Sequence, residues 1–194
     1  AHGRGSRADV SQGPRVVSGM IEVILGVLHE QDSEGVVRPI RSDLVPVTAA
    51  SRDIAERAGE AVSDKLEQIG SIPLGGAVIT PAGDLSADFV IHAVVSEPDE
   101  AESPASVQKA LRNSLRRAAD MGLESLALPP IGMGIGRLDA EECARAMLEM
   151  LFFHLDEDQP PQDVRIVTGA EYEQQLFERL VAEMTSQRAA FGSP

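Results

Sequence analysis

Residues 89–128 read FVIHAVVSEPDEAESPASVQKALRNSLRRAADMGLESLAL. Phe89 to Val95 is almost unbroken apolar sequence, as suits a strand covered on both faces. Glu97 to Pro104 is an acidic, proline-bounded loop. Ala105 to Met121 places Val107, Leu111, Ser114, Leu115 and Ala118 along one helical face, and Gly122 stops the helix. Ser125 to Leu128 is a second, shorter strand. The rest of the chain continues this alternation. Met20 to Leu28 reads as a buried strand, with Val16–Val17 opening an edge strand before it. Gly35 to Ile40 is a strand, Ser51 to Ile69 a helix ended by Gly70, and Ala77 to Thr80 a strand ended by Pro81. Asp139 to Leu155 is a helix in which Asp139 is the cap and Glu142 sits where a capping box needs it. Val164 to Thr168 is the last strand and Glu171 to Met184 the last helix. Strands alternating with helices imply an α/β sandwich with a largely parallel sheet.

No linker or repeat interrupts the pattern, so residues 15–185 read as a single domain. Residues 1–14, rich in Gly, Ser and Arg, and residues 186–194 read as flexible tails. The 194 residues carry 17 Lys and Arg against 31 Asp and Glu, a formal charge of −14. Phosphate-backbone binding needs clustered cations, so this balance argues against a nucleic-acid surface. The 43% hydrophobic and 25% charged content is that of a globular domain rather than a disordered one. No apolar run has the length of a membrane span, and no secretory signal is visible, which makes the cytoplasm the expected compartment. A single cysteine excludes an internal disulfide. The histidines show no metal-ligand spacing, so neither a metal nor a cofactor is expected. His92, inside an apolar strand, reads as a hydrogen-bonded core residue, and Cys143, on the inner face of its helix, as an inert buried thiol.

One strand-to-helix crossing stands out. Ser125–Leu128 is followed by Pro129-Pro130-Ile131-Gly132-Met133-Gly134-Ile135-Gly136-Arg137 and then by the helix capped by Asp139. Alternate glycines let backbone amides approach a ligand and turn inward as an anion nest. The helix start behind them and Arg137 add positive charge. The expected guest is a phosphate or diphosphate, held by Gly132, Met133, Gly134, Ile135, Gly136 and Arg137. The spacing is neither the dinucleotide fingerprint nor a Walker loop, and a tight turn with packing glycines remains the alternative.

Gly75-Gly76-Ala77-Val78-Ile79-Thr80, Phe89-Val90-Ile91-His92-Ala93-Val94 and Asn113-Ser114-Leu115 resemble successive motifs of the macrodomain family. Leu128 to Arg137 stands where that family has its diphosphate loop. The resemblance implies a three-layer α/β/α sandwich with a mixed, largely parallel central sheet. It implies ADP-ribose or a related nucleotide as ligand, with an ADP-ribosylated protein as a further partner. Several positions depart from the family. The Gly-Asp-Ile whose Asp reads adenine is Gly26-Val27-Leu28 here, which makes Val27 and Leu28 candidates for an apolar base pocket. The Asn-Pro-Ala-Asn segment is Arg38-Pro39-Ile40-Arg41, so Arg41 replaces the asparagine that positions the distal ribose in hydrolases. The first glycine loop is Val47-Thr48-Ala49-Ala50. Arg38 and Arg41 are either phosphate-gripping forks or surface ion-pair partners. No pair of carboxylates suggests itself for acid–base catalysis, and no residue is nominated as catalytic. The leading expectation is a nucleotide-diphosphate binding module. An ADP-ribosyl hydrolase and a ligand-free interaction scaffold are the alternatives.

Overall fold

The computed structural model describes residues 16–18, 21–132 and 139–192. Among the described residues, seven strands form one sheet: β1 Val16–Ser18, β2 Ile21–Leu25, β3 Gly35–Arg41, β4 Ala77–Pro81, β5 Phe89–Ser96, β6 Ser125–Leu128 and β7 Asp163–Thr168. Their spatial order is β1-β2-β7-β6-β3-β5-β4. The run from β2 to β5 is parallel, while β1 and β4 close the two edges antiparallel. The helices are α1 Ala49–Ala58, α2 Glu60–Ile69, α3 Pro104–Asp120, α4 Ala140–Asp156 and α5 Glu171–Phe191.

Strand alternation sorts the core into two layers. Val37, Ile91, Ala93, Leu126, Leu128, Val164 and Ile166 face α3, α4 and α5. Val36, Val90, Ala127 and Val167 face the opposite way and pack with Ile54 of α1 and Leu28. The three-layer sandwich with a mixed, largely parallel sheet is therefore present. β5 is buried from Val90 to its end, as its unbroken apolar run demanded. No helix among the described residues is long and apolar enough to cross a membrane.

Two expectations about helices are corrected. Ser51 to Ile69 is two helices. Gly59, at φ +96°, breaks them, and the Ala58 carbonyl accepts from Asp84 N at 3.1 Å instead of continuing the helix. The chain also stays helical past Ser186, to Phe191. The reason is docking on α4: Arg188 bonds Asp156 and lies 4.7 Å over the Phe152 ring. The first residues, 1–14, lie outside the described residues.

The α1–α2 break leaves no room opposite it. A Cβ on Gly83 would stand 2.1 Å from Ala58 O, and Gly83 has φ +58°. Gly83→Ala should cost about 2–4 kcal/mol through overpacking and backbone strain. Thermal unfolding should register a fall of roughly 5–15 °C.

Candidate functional site

The strand order switches direction between β3 and β6. From β3 the chain leaves toward β4 and β5; from β6 it leaves toward β7. In open α/β sheets that is where the carboxyl ends of the strands leave a crevice. A cleft of about 680 Å³ opens there. Arg41 comes from the end of β3, Ser96 and Glu97 from β5, Pro129 and Pro130 from β6, and Val167 and Gly169 from β7. Val45 to Ala50 form another wall and include the start of α1. Glu102 and Glu173 complete the charged lining. Among the described residues, the cleft thus holds one cation against three carboxylates. No group of three metal-ligating side chains gathers among the described residues.

The α1 wall is fixed from behind. Thr48 caps α1 by accepting from Ser51 N at 3.0 Å. Ser51 Oγ donates to Pro39 O at 2.6 Å, and Arg38 Nε donates to Ser51 O at 2.9 Å. Arg38 is 4% exposed, so reading it as a surface ion-pair partner is corrected. It projects from β3 beside His92, its register neighbour on β5, and Nη1 donates to His92 Nδ1 at 3.2 Å. An imidazole that accepts at Nδ1 must carry its proton on Nε2, which donates to Thr80 Oγ1 at 2.9 Å. Burial, with the Arg38 charge added, pushes His92 down to about 3. Burial also lowers Arg38 to about 10, so it stays charged at neutral pH.

Arg41 behaves differently. It lies at the cleft and is held by Asp43, with Nε–Oδ1 at 2.8 Å and Nη2–Oδ2 at 2.5 Å. That fork raises the Arg41 pKa and lowers that of Asp43. The chain folds back tightly here, with Leu44 at φ +73° and Arg41 N donating to Val45 O at 2.9 Å.

The glycine crossing is only partly in view. Met133, Gly134, Ile135, Gly136 and Arg137 lie outside the described residues. Gly132 is buried at the exit of β6, with φ +84°, a conformation that favours glycine. The residue before it is anchored twice from α4: Ile131 N approaches Met147 Sδ at 3.1 Å, and Cys143 Sγ donates to Ile131 O. Burial, with Glu102 and Glu142 adding to it, pushes the Cys143 thiol up to about 12. Asp139 caps α4 by accepting from Glu141 N at 2.9 Å and Glu142 N at 3.2 Å.

The candidate base-side residues divide. Val27 is 43% exposed at the exit of β2, beside the end of β7. Leu28 turns into the core against Val36, Ile54 and Val167, with 5% of its surface exposed. The sequence marks the acidic loop after β5 without connecting Glu97 and Glu102 to the cleft that they line. Their place directly after a parallel strand is the signal for it. Asn113, within a family-like motif, ties α3 to the preceding turn by donating to Gly75 O at 2.6 Å.

The macro domain family model matches residues 37–147, more than half of the chain. The chain belongs to the macro domain family. It is 30% identical over 169 residues to an O-acetyl-ADP-ribose deacetylase of Enterobacter cloacae, covering 84% of this chain and 94% of that protein. A mutant macrodomain of Oceanobacillus iheyensis superposes with a TM-score of 0.81 at 17% identity, over 90% of this chain and 98% of the other. The Trypanosoma brucei macrodomain in complex with ADP-ribose gives a TM-score of 0.75 at 20% identity, over 84% and 69%. These two structures share the fold of this macro domain at low identity.

Two outcomes follow from the buried groups. His92 is neutral in the native chain down to about pH 3, whereas unfolded it takes a proton near 6.5. Acid therefore favours the unfolded chain. The His92 contribution is complete above about pH 6.5 and declines as pH falls, by up to about 1.4 kcal/mol per unit. Stability measured from pH 7 to 4 should show a flatter slope in His92→Gln than in the native chain. Cys143 should resist iodoacetamide at pH 8 until urea unfolds the protein, when mass spectrometry should find it alkylated.

Proposed function

We propose that this macro domain binds ADP-ribose, or a closely related nucleotide diphosphate, as a binding module. The observation that carries this reading is the placement of the cleft: it opens at the carboxyl ends of β3, β5, β6 and β7, between the start of α1 and the exit of β6. The first turn of α1 brings backbone amides to one wall. Pro129 and Pro130, on the opposite side, lead into the glycine-rich crossing. The diphosphate is assigned to Gly132, Met133, Gly134, Ile135, Gly136 and Arg137. The base is assigned to the Val27 side, where an apolar surface replaces a polar acceptor, and the distal ribose to the side of Arg41. The relation to a protein named as an O-acetyl-ADP-ribose deacetylase, and the fold shared with a macrodomain solved with ADP-ribose, support this ligand class. An ADP-ribosylated protein in the cytoplasm is the partner this reading implies.

A second reading is hydrolysis of O-acetyl-ADP-ribose, favoured by the name of that relative. Against it stands Arg41, already engaged by Asp43 at the place the resemblance gives to the ribose-positioning asparagine. Acetate release from that substrate separates an enzyme from a binding module.

The direct test is thermal unfolding with and without ADP-ribose. At a hundred times its dissociation constant, a ligand stabilises the folded chain by about 2.7 kcal/mol, or roughly 5–10 °C here. Gly134→Asp, which adds bulk and negative charge to the glycine crossing, should abolish the shift. An undiminished shift in that variant would remove the phosphate from this loop, and no shift in the native chain would leave the scaffold alternative.

A further inference from the structure

A buried cation is ordinarily paired with a carboxylate. Arg38 is not paired in this way: among the described residues, its hydrogen-bond partners are a backbone carbonyl, Ser51 O, and a neutral imidazole, His92 Nδ1. No carboxylate among the described residues forms an ion pair with it. The His92 Nε2–Thr80 bond makes this a consistent arrangement, because it fixes the tautomer that leaves Nδ1 free to accept. The protein thus keeps a full positive charge inside its core, on the α1 side of the sheet.

The location of that charge gives it a use. Arg38 Nε is bonded to the carbonyl of Ser51, the residue immediately after Ala50, and Thr48, Ala49 and Ala50 line the cleft. The guanidinium therefore stands behind the first turn of α1, out of contact with the cleft but next to its wall. Glu97 and Glu173 line the cleft, and Arg41, its cation among the described residues, is held by Asp43. A charge in a poorly solvated interior is screened less than one at the surface, so its field reaches further. It adds to the partial positive charge of the helix start in front of it.

We propose that Arg38 is a positioning residue for anion binding in this macro domain: its buried guanidinium holds the first turn of α1 against β3 and supplies, from behind that turn, positive potential that draws a diphosphate into the cleft. This rests on the cleft being the nucleotide site. Arg38 does not touch the ligand. It acts through the backbone amides of α1 and through its field.

The test compares ADP affinity, by calorimetry, in the native chain and in Arg38→Lys, Arg38→Gln and Arg38→Met. Gln removes the charge and keeps a hydrogen-bonding side chain; Met removes both and leaves the Ser51 O and His92 Nδ1 acceptors without their donor, so thermal unfolding of each variant is followed beside its affinity. The charge-free variants should bind ADP roughly tenfold more weakly. Arg38→Lys should stay close to the native affinity. A purely structural role would not be rescued by Lys, so equal losses in Lys and Met would overturn the proposal. So would native affinity in Gln or Met. Failure of the native chain to bind ADP would instead overturn the assignment of the cleft, whatever the variants do.

Discussion

The fold arranges itself around a guanidinium shut inside the sheet–helix interface. Arg38 can stay there only because its neighbours accept from it in the right directions. His92 must be neutral with its proton on Nε2, Thr80 must stand across β5 to receive that proton, and the Ser51 carbonyl must meet Nε. Those demands span β3, β5, β4 and α1, four elements far apart in the chain. Satisfying them fixes the register of β3 on β5 and the seat of α1 on the sheet. Breaking one partner would strand a buried donor or a buried charge, which costs more than the bond contributes when made.

The site inherits its shape from that constraint. α1 starts at the cleft because Thr48 caps its first turn and Ser51 Oγ ties that turn to Pro39 O of β3. On the other side, α4 holds the exit of β6 through Met147 and Cys143, so both walls are anchored from the layer behind them. An anion entering the cleft as proposed would meet oriented amides and positive charge placed out of the solvent, where screening is weak.

Much of the fold was legible because strand and helix periods differ so plainly in this chain. The apolar run from Phe89 to Val95 and the spacing of Leu111, Leu115 and Ala118 needed no tertiary information. Gly59 was different. A glycine within a continuous helical pattern looks like a tolerated defect, and only the approach of Gly83 and Asp84 turns it into a stop. The extension of α5 was hidden for the same reason: Arg188 finds its reward on Asp156 and Phe152, which local sequence does not reveal. At the cleft, Arg41 stands where motif spacing expects it, while Met133 to Arg137 of the crossing after β6 lie outside the described residues. Arg38 is not legible in this way, since an arginine in sequence defaults to the surface, and the apolar side chain of Leu28 serves the core.

The break at Gly59 has an evolutionary consequence. α1 is fastened at both ends by the sheet and its turns, through Arg38 and Pro39 at one end and through Asp84 at the other. Both of these fastenings lie outside the helix that follows it. Substitutions at the exposed positions of α2 would therefore leave them in place, while changes in α1 must keep the Ser51 and Ala58 bonds to the sheet and its turns.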